Sequence, residues 1–182
     1  MALYIVLGAV VVILLYMLAT YNSFIKLKNS VKEAFSTMDV YLKKRWDLIP
    51  NLVSTVKGYA KHESGVLEKV VSLRNVSYDG MSQNDKIDKN TQLTAGLSRL
   101  LAVAENYPDL KANSNFLNLS TQLAKIEDDI SNSRKYYNAV SKKMNTMVEM
   151  FPSNFIAAAF GFKQSPMFEA QTGERDNVKV DL

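Results

Sequence analysis

The sequence predicts an all-α protein: an N-terminal transmembrane helix, then an antiparallel bundle of about four long helices and a short C-terminal helix. Three observations lead to this fold class. The chain of 182 residues opens on a long apolar run, its later apolar residues recur at intervals of three and four, and it holds only seven Gly and four Pro. Recurrence at three and four places apolar side chains on one face of a helix, whereas a half-buried strand requires alternation.

The apolar run, Ala2 to Tyr21, predicts a transmembrane anchor over residues 1–22. A helix of this length spans about 30 Å, the thickness of the hydrocarbon core of a bilayer. A cleaved signal peptide would need a basic region before the run and a small-residue cleavage site after it, and the sequence offers neither. Tyr16 and Tyr21 suit the membrane–water interface. We therefore expect the anchor to stay uncleaved.

The charges after the anchor predict its orientation. Lys26, Lys28 and Lys32 follow closely, against Glu33 alone, and nothing basic precedes the run. Loops on the cytoplasmic side of a membrane carry an excess of Lys and Arg. We expect a single-pass protein of the bacterial inner (cell) membrane, with its N-terminus outside and its domain in the cytoplasm.

Residues 23–162 are predicted to form the bundle, with short connections that favour antiparallel neighbours. The first helix leads to Ile49, where Pro50 predicts a turn or kink because proline disfavours helix at the residue before it. A second helix continues to about Ser77, the polar segment 78–90 is interpreted as a connection, and a third helix ends before Pro108. The apolar positions of these three helices are Phe24, Leu27, Val31, Ala34, Met38, Leu42, Trp46, Ile49, Leu52, Val56, Ala60, Leu67, Val70, Val71, Leu93, Leu97, Leu100 and Ala104.

The fourth helix has the clearest pattern. Its apolar stripe runs from Phe116 to Phe151 at alternating intervals of three and four, and Pro152 ends it. A stripe of this period is typical of a coiled coil. It favours a buried face within the bundle and, in a scaffold, association into a homo-oligomer.

The stretch "FPSNFIAAAFGF", residues 151–162, predicts a short terminal helix over residues 153–161, with Ser153 suited to cap it. Phe155, Ile156 and Phe160 share one apolar face that must be buried somewhere. Three partners remain open: the bundle itself, the membrane interface and another subunit. These three residues and Phe162 are therefore candidate contact residues. Residues 163–182 are predicted to form an extended or disordered tail.

The segment "KKRWD" is the best basic cluster and supplies the other candidate contacts, Lys43, Lys44, Arg45 and Asp47. It lacks the interleaved exposed aromatic residues of a nucleic-acid site, so no nucleic-acid partner is expected. Arg45 and Asp47 suit charges at a helix–helix turn, where Asp47 could cap the helix restarted at Pro50. Contact with a partner protein or a lipid headgroup is the alternative. Trp46 falls on the apolar stripe and is expected in the core.

The composition argues against an enzyme. Cys is absent, which excludes thiol catalysis and Cys-ligated metals, and His62 is the single His. Glu127, Asp128 and Asp129 lie together, but between Ile126 and Ile130 they are expected on a solvated face. No Gly-rich phosphate loop or metal-binding motif is present. We expect no catalytic residues, no cofactor and no metal.

Three segments resemble the LemA family of bacterial membrane proteins. They are "YNSFIKLKNSVKEAFSTMDVYLKKRWDLIPNLVSTVKGYAKHE" from Tyr21, "LLAVAENYPDLKANSNFLNL" from Leu100 and "FPSNFIAAAFGFKQSPMFEA" from Phe151. The resemblance covers roughly residues 2–171 and implies an N-terminal anchor followed by a helical bundle. It implies no reaction. Relatives of the family in magnetosome-forming bacteria are linked to building internal membranes.

Two functions fit these features. The first is a membrane-anchored helical scaffold or structural protein that self-associates and organises the membrane or membrane complexes. The second is an adaptor that recruits a partner to a membrane enzyme such as a protease. The expected partners are the lipid bilayer and further copies of the chain, with a membrane protein as a further candidate.

Overall fold

The computed structural model describes residues 1–60, 63–73 and 77–168. Within these ranges every regular element is helical, which confirms the all-α class. An apolar N-terminal helix leads into a helical bundle, and a short helix follows at the C-terminal side. The elements are α1 (Ala2–Tyr59), α2 (Ser64–Ser72), a 3₁₀ turn (Tyr78–Gly80), α3 (Gln83–Glu105), α4 (Pro108–Lys111), α5 (Ser114–Glu149) and α6 (Ser153–Phe160).

The chain divides into two compact units. One holds Ala34–Lys135, and the other holds Met1–Glu33 together with the chain from Tyr136 onward. The first is called the central unit below, and the second is called the anchor unit.

The predicted turn at Pro50 is wrong, because α1 continues through it to Tyr59. A proline inside a helix removes one backbone hydrogen bond and crowds the preceding turn. Here the residues on both sides are deeply buried, with Ile49 at 2% and Leu52 at 0% exposure. Burial of this apolar face holds the helix together across the proline. The next helix therefore begins at Ser64 rather than near Pro50.

The segment 78–90 was predicted to be a connection, and this is wrong from Gln83 onward. Helix α3 begins there, capped by Ser82, whose Oγ accepts a hydrogen bond from the backbone N–H of Asp85 at 3.2 Å. The hydroxyl also donates to the Asp85 carboxylate at 2.6 Å. A Ser followed three residues later by an acidic residue is a start signal for a helix.

Contacts within the central unit give the helix directions. Asp39 pairs with Lys86 and Arg45 binds Asn90, so α1 and α3 run parallel. Arg45 also binds Glu127, and Asn113, just before α5, donates to the Tyr59 hydroxyl at 2.9 Å, so α5 runs antiparallel to α1. Helix α5 thus runs opposite to both α1 and α3, as expected of an up-down bundle. The core of this unit includes Leu42, Trp46, Ile49, Leu52, Val56, Leu93, Leu97, Leu100, Leu110, Leu123 and Ile130.

Helices α2 and α3 approach closely at Gly96. A Cβ atom at this position would lie 3.3 Å from Cγ2 of Val70. The side chain of Val70 is fully buried at this contact. A larger residue at position 96 would therefore require Val70 to shift by a few tenths of an ångström.

Candidate functional site

The basic cluster predicted from "KKRWD" is split by the helix that carries it. Lys43 and Asp47 lie on the surface of α1 and pair with each other at 2.8 Å, one helical turn apart. Lys44 is exposed and its ammonium lies 5.3 Å from the Tyr41 ring centroid. The predicted capping role of Asp47 is wrong, because the helix does not restart after it.

Arg45 points the other way and is completely buried. One terminal nitrogen, Nη1, donates to both Glu127 carboxylate oxygens at 2.8 and 3.0 Å and to the Thr94 hydroxyl at 2.9 Å. The other, Nη2, donates to the Asn90 side-chain oxygen at 2.7 Å and to its backbone oxygen at 3.0 Å. The guanidinium therefore joins α1, α3 and α5, and it is not available to an outside partner.

A second, partly buried polar group forms around Asp39, a few residues before Arg45 on α1. Tyr78 donates its hydroxyl hydrogen to Asp39 at 2.6 Å, and Lys86 donates to the other Asp39 oxygen at 2.7 Å. The Lys86 ammonium also lies 4.6 Å from the Tyr78 ring centroid, and the Trp46 ring lies at 5.5 Å. This group fixes the 3₁₀ turn on the bundle.

The pKa of Tyr78 is raised far above its usual value, first by burial and then by its hydrogen bond to Asp39. The phenol therefore remains a protonated donor, the opposite of what a general base or nucleophile requires. Asp39 is in turn held by two donors. The charged groups around Arg45 and Asp39 thus bind each other inside the central unit. Their geometry suits stability rather than proton transfer.

The short C-terminal helix is confirmed as α6, and the fold itself buries only part of the predicted apolar face. The buried residues are Ser153, Ile156 and Ala157. Phe155 is 67% exposed and Phe160 is 53% exposed. The sequence of α6 is apolar on nearly every side, so periodicity alone could not select the face that packs.

Ser153 also differs from its predicted role. Its single hydroxyl hydrogen is shared between the backbone oxygens of Met147 at 2.6 Å and Met150 at 2.9 Å. It therefore satisfies the last carbonyls of α5, which have no partner within their own helix, instead of capping α6. This pair of bonds fixes the sharp corner between the two helices. Gly161, at φ +70°, ends α6 in the left-handed conformation that Gly adopts readily.

Helix α6 and the residues after it contact α1 where the apolar run ends. The Tyr21 ring centroid lies 4.9 Å from that of Phe160 and 5.7 Å from that of Phe162. Phe24 and Phe162 are stacked at 4.6 Å with an interplanar angle of 11°. Of the four candidate aromatic-stretch residues, Ile156 is thus in the core, Phe162 is partly buried against α1, and Phe155 and Phe160 are exposed.

A groove of about 550 Å³ lies beside this contact. Its walls come from the end of the apolar run, from the last turns of α5 and from the start of α6. Two exposed lysines, three Ser or Thr side chains and several apolar side chains line it. The lining residues are Tyr16, Thr20, Ala139, Lys142, Lys143, Thr146, Met147, Met150 and Ser153.

Residues 163–168, the described part of the predicted tail, run along α5 outside any helix. Asn145 accepts from the Ser165 N–H at 2.7 Å and donates to its carbonyl at 3.0 Å. Asn138 forms the same pair of bonds with Phe168, at 3.0 and 2.9 Å. These two Asn residues were missed by sequence reasoning. The only signal was a polar amide beside the apolar stripe on α5. Residues 169–182 lie outside the described part of the chain, as does His62.

These features define a membrane-associated helical protein. Among the described helices, α1 alone is long and apolar enough to cross a membrane, and its apolar part is not buried within the chain. The LemA family profile matches residues 34–182. The chain therefore belongs to the LemA family, which confirms the resemblance.

Curated relatives support this assignment. Protein LemA of Metamycoplasma hominis is 25% identical over 158 residues, covering 86% of this chain and 72% of that protein. Magnetosome protein MamQ 2 of Paramagnetospirillum magneticum is 24% identical, covering 88% and 69%. Magnetosome protein MamQ of Magnetospirillum gryphiswaldense is 22% identical, covering 84% and 65%. None of these names describes an enzyme.

Proposed function

We propose that the protein is a membrane-anchored, non-enzymatic helical scaffold that self-associates and organises the membrane or complexes within it. The observation that carries the proposal is the exposure of the whole apolar run. Every residue from 1 to 19 is exposed, and nearly all of them are apolar. Such a surface is stable only in hydrocarbon or against other apolar helices. We place the anchor in the bacterial inner membrane, N-terminus outside and bundle in the cytoplasm.

The scaffold part of the proposal is supported by polar side chains that bind each other inside the bundle. Arg45 binds Glu127, and Asp39 binds both Lys86 and Tyr78. These contacts fix the helices of the bundle relative to one another. A role in an assembly also agrees with relatives that are named magnetosome proteins.

The apolar stripe on α5 contributes less to the proposed self-association than its coiled-coil spacing indicates. Phe116, Leu123 and Ile130 on α5 are buried in the fold, as are Tyr137 and Met144. These residues cannot also form a coiled-coil seam with a second copy. Association would have to use other surfaces.

The test is the mass and shape of the full chain after extraction in mild detergent. We expect a particle of several copies by light scattering, and rings or arrays by electron microscopy. The control is the anchor alone, residues 1–22, fused to an unrelated soluble domain, which should remain monomeric. A full chain that stays monomeric at every concentration, or a control that associates equally, would remove the scaffold proposal.

A further inference from the structure

We propose that the corner between α5 and α6, residues 150–160, lies in the interfacial layer of the bilayer that holds the anchor, with Lys142 and Lys143 bound to anionic phospholipid headgroups. The inference rests on the proposed membrane anchoring and adds a second lipid contact to it. The corner, as named here, includes the exposed side chains of Met150, Phe151, Phe155 and Phe160.

The corner is continuous with the anchor. Tyr16 and Met150 line the same groove, and Tyr21 contacts Phe160. Tyr16 and Tyr21 lie near the end of the apolar run, where a spanning helix leaves the hydrocarbon. A bilayer that covers the exposed anchor as far as Tyr16 therefore also reaches Met150.

The exposed side chains of the corner are apolar. Phe151 is 77% exposed and Phe155 is 67% exposed, and their rings meet edge to face with centroids 6.0 Å apart. Met150 at 56% and Phe160 at 53% exposure add further apolar surface to the corner. Aromatic side chains are favoured at the level of lipid headgroups. A short helix with one apolar face can lie there, buried to a depth of roughly 5–10 Å.

The lysines provide the headgroup contact. Lys142 and Lys143 are exposed and line the groove beside Tyr16 and Met147. Neither forms an ion pair with any residue in the described part of the chain. A lysine near a membrane keeps its stem along apolar surface and its ammonium at the headgroups. Attraction to anionic lipid then favours the same placement as the aromatic patch.

A second copy of the chain is the competing occupant of the corner. A symmetric contact uses the same patch on both copies. Two copies docked through the corner would bring their Lys142 and Lys143 side chains towards one another, and like charges repel. Lipid satisfies the apolar patch and the lysines together, so the observations favour lipid.

The first experiment measures immersion of the corner in the full chain. Because the chain has no Cys, each of the variants Phe155→Cys, Phe151→Cys, Val11→Cys and Tyr136→Cys accepts one nitroxide label. The labelled proteins are reconstituted in vesicles of equal parts phosphatidylcholine and phosphatidylglycerol. Collisions with oxygen, which enters lipid, are compared with collisions with a water-soluble nickel chelate.

We expect labels at 155, 151 and 11 to be reached by oxygen and protected from the chelate. Tyr136 is exposed on α5 and lies roughly 20 Å along the helix from its end. A label at 136 should therefore be reached by the chelate. All four side chains are exposed, so the labels should leave the fold intact, and circular dichroism checks this.

Each other outcome overturns the inference in a distinguishable way. If the chelate reaches 155 and 151 but not 11, the corner lies in water while the anchoring stands. If 155 and 151 are protected from both reagents, protein covers the corner, and the second copy is its partner. If the chelate reaches 11, the proposed anchoring fails as well.

The second experiment tests the lysines. Spin-labelled phosphatidylglycerol and phosphatidylcholine are compared for association with the full chain, and wild type should prefer the anionic lipid. Lys142→Gln with Lys143→Gln should reduce that preference by up to about fivefold for each lysine. The matched control is Lys125→Gln with Lys135→Gln, two exposed lysines of the same helix. Equal losses in the two double variants, or no loss in the first, would overturn the headgroup assignment.

Discussion

Replacement of Glu127 by Ala tests whether the buried guanidinium of Arg45 holds the bundle together. The change removes the carboxylate that lies 2.8 Å from Nη1 of Arg45. It leaves the bonds from Arg45 to Thr94 and Asn90 in place. The charge of Arg45 would then remain in the interior without its counter-ion.

The magnitude follows from the exposure of the two partners. Arg45 is fully buried, whereas the Glu127 side chain is 35% exposed. Removing one partner from a fully buried ion pair costs about 3–5 kcal/mol, and an exposed pair is worth about 0.2–1 kcal/mol. Water that reaches Glu127 weakens the pair, and the remaining neutral acceptors still bind Arg45. We therefore expect the free energy of unfolding to fall by about 2–3 kcal/mol.

The assay is urea unfolding of the full chain in detergent, followed by the fluorescence of Trp46. This is the only Trp. It is 3% exposed and adjoins Arg45, so its emission reports on the central unit. The matched control is Asp128→Ala, since Asp128 is the exposed neighbour of Glu127 and its loss should cost under about 0.5 kcal/mol. If the two variants unfold at the same urea concentration, the account of the buried pair is wrong.

Three further outcomes are expected. Ile130→Asp should cost several kcal/mol in urea unfolding, because Ile130 is 1% exposed and an unpaired carboxylate would enter the core; Leu117→Asp, at a position 50% exposed on the same helix, should cost little. Burial raises the pKa of Tyr78, so above pH ~10 the unfolded chain releases this proton while the folded protein keeps it. The free energy of unfolding of wild type should therefore fall with pH more steeply than that of Tyr78→Phe, by up to about 1.4 kcal/mol per pH unit. Parallel pH curves for the two proteins would refute this. Gln92→Cys should resist an impermeant thiol reagent in intact cells until they are permeabilised, while Ala2→Cys should react at once; the reverse pattern would invert the proposed orientation.

The helical class and much of the core could be predicted from the sequence, because the spacing of apolar residues can be read within a single segment. Leu42, Ile49, Leu100 and Leu123 were placed on apolar stripes, and each is almost fully buried. Helix boundaries were less secure. Pro50 is tolerated because burial on its two sides outweighs one missing hydrogen bond. Ser82, by contrast, carried a capping signal that local reasoning could have used.

The charged contacts could not be predicted, because they depend on distant residues. Arg45 and Glu127 lie 82 positions apart. Each belongs to a charged run, "KKRWD" or "IEDDI", that a helical face can present to solvent. In each run only one charged residue forms an ion pair with another helix in the part of the chain that the structure describes. The pairing follows from the way α1, α3 and α5 pack, and no single segment contains that information.

The buried face of α6, in the aromatic corner, could not be predicted from its own segment either. In "SNFIAAAF" an apolar face can be drawn through Phe155 and Phe160 or through Ile156 and Ala157, and the fold packs the second. The hydroxyl of Ser153 binds the end of α5 and turns Ile156 inward, which leaves Phe155 and most of Phe160 outside. Two Phe side chains exposed to this degree forgo roughly 2–4 kcal/mol of transfer free energy in water. That amount is comparable to the effect expected for the Arg45–Glu127 pair. This transfer free energy is gained if the corner enters the bilayer beside Tyr16. The anchor already binds the membrane there, so the second contact requires no further loss of translational freedom.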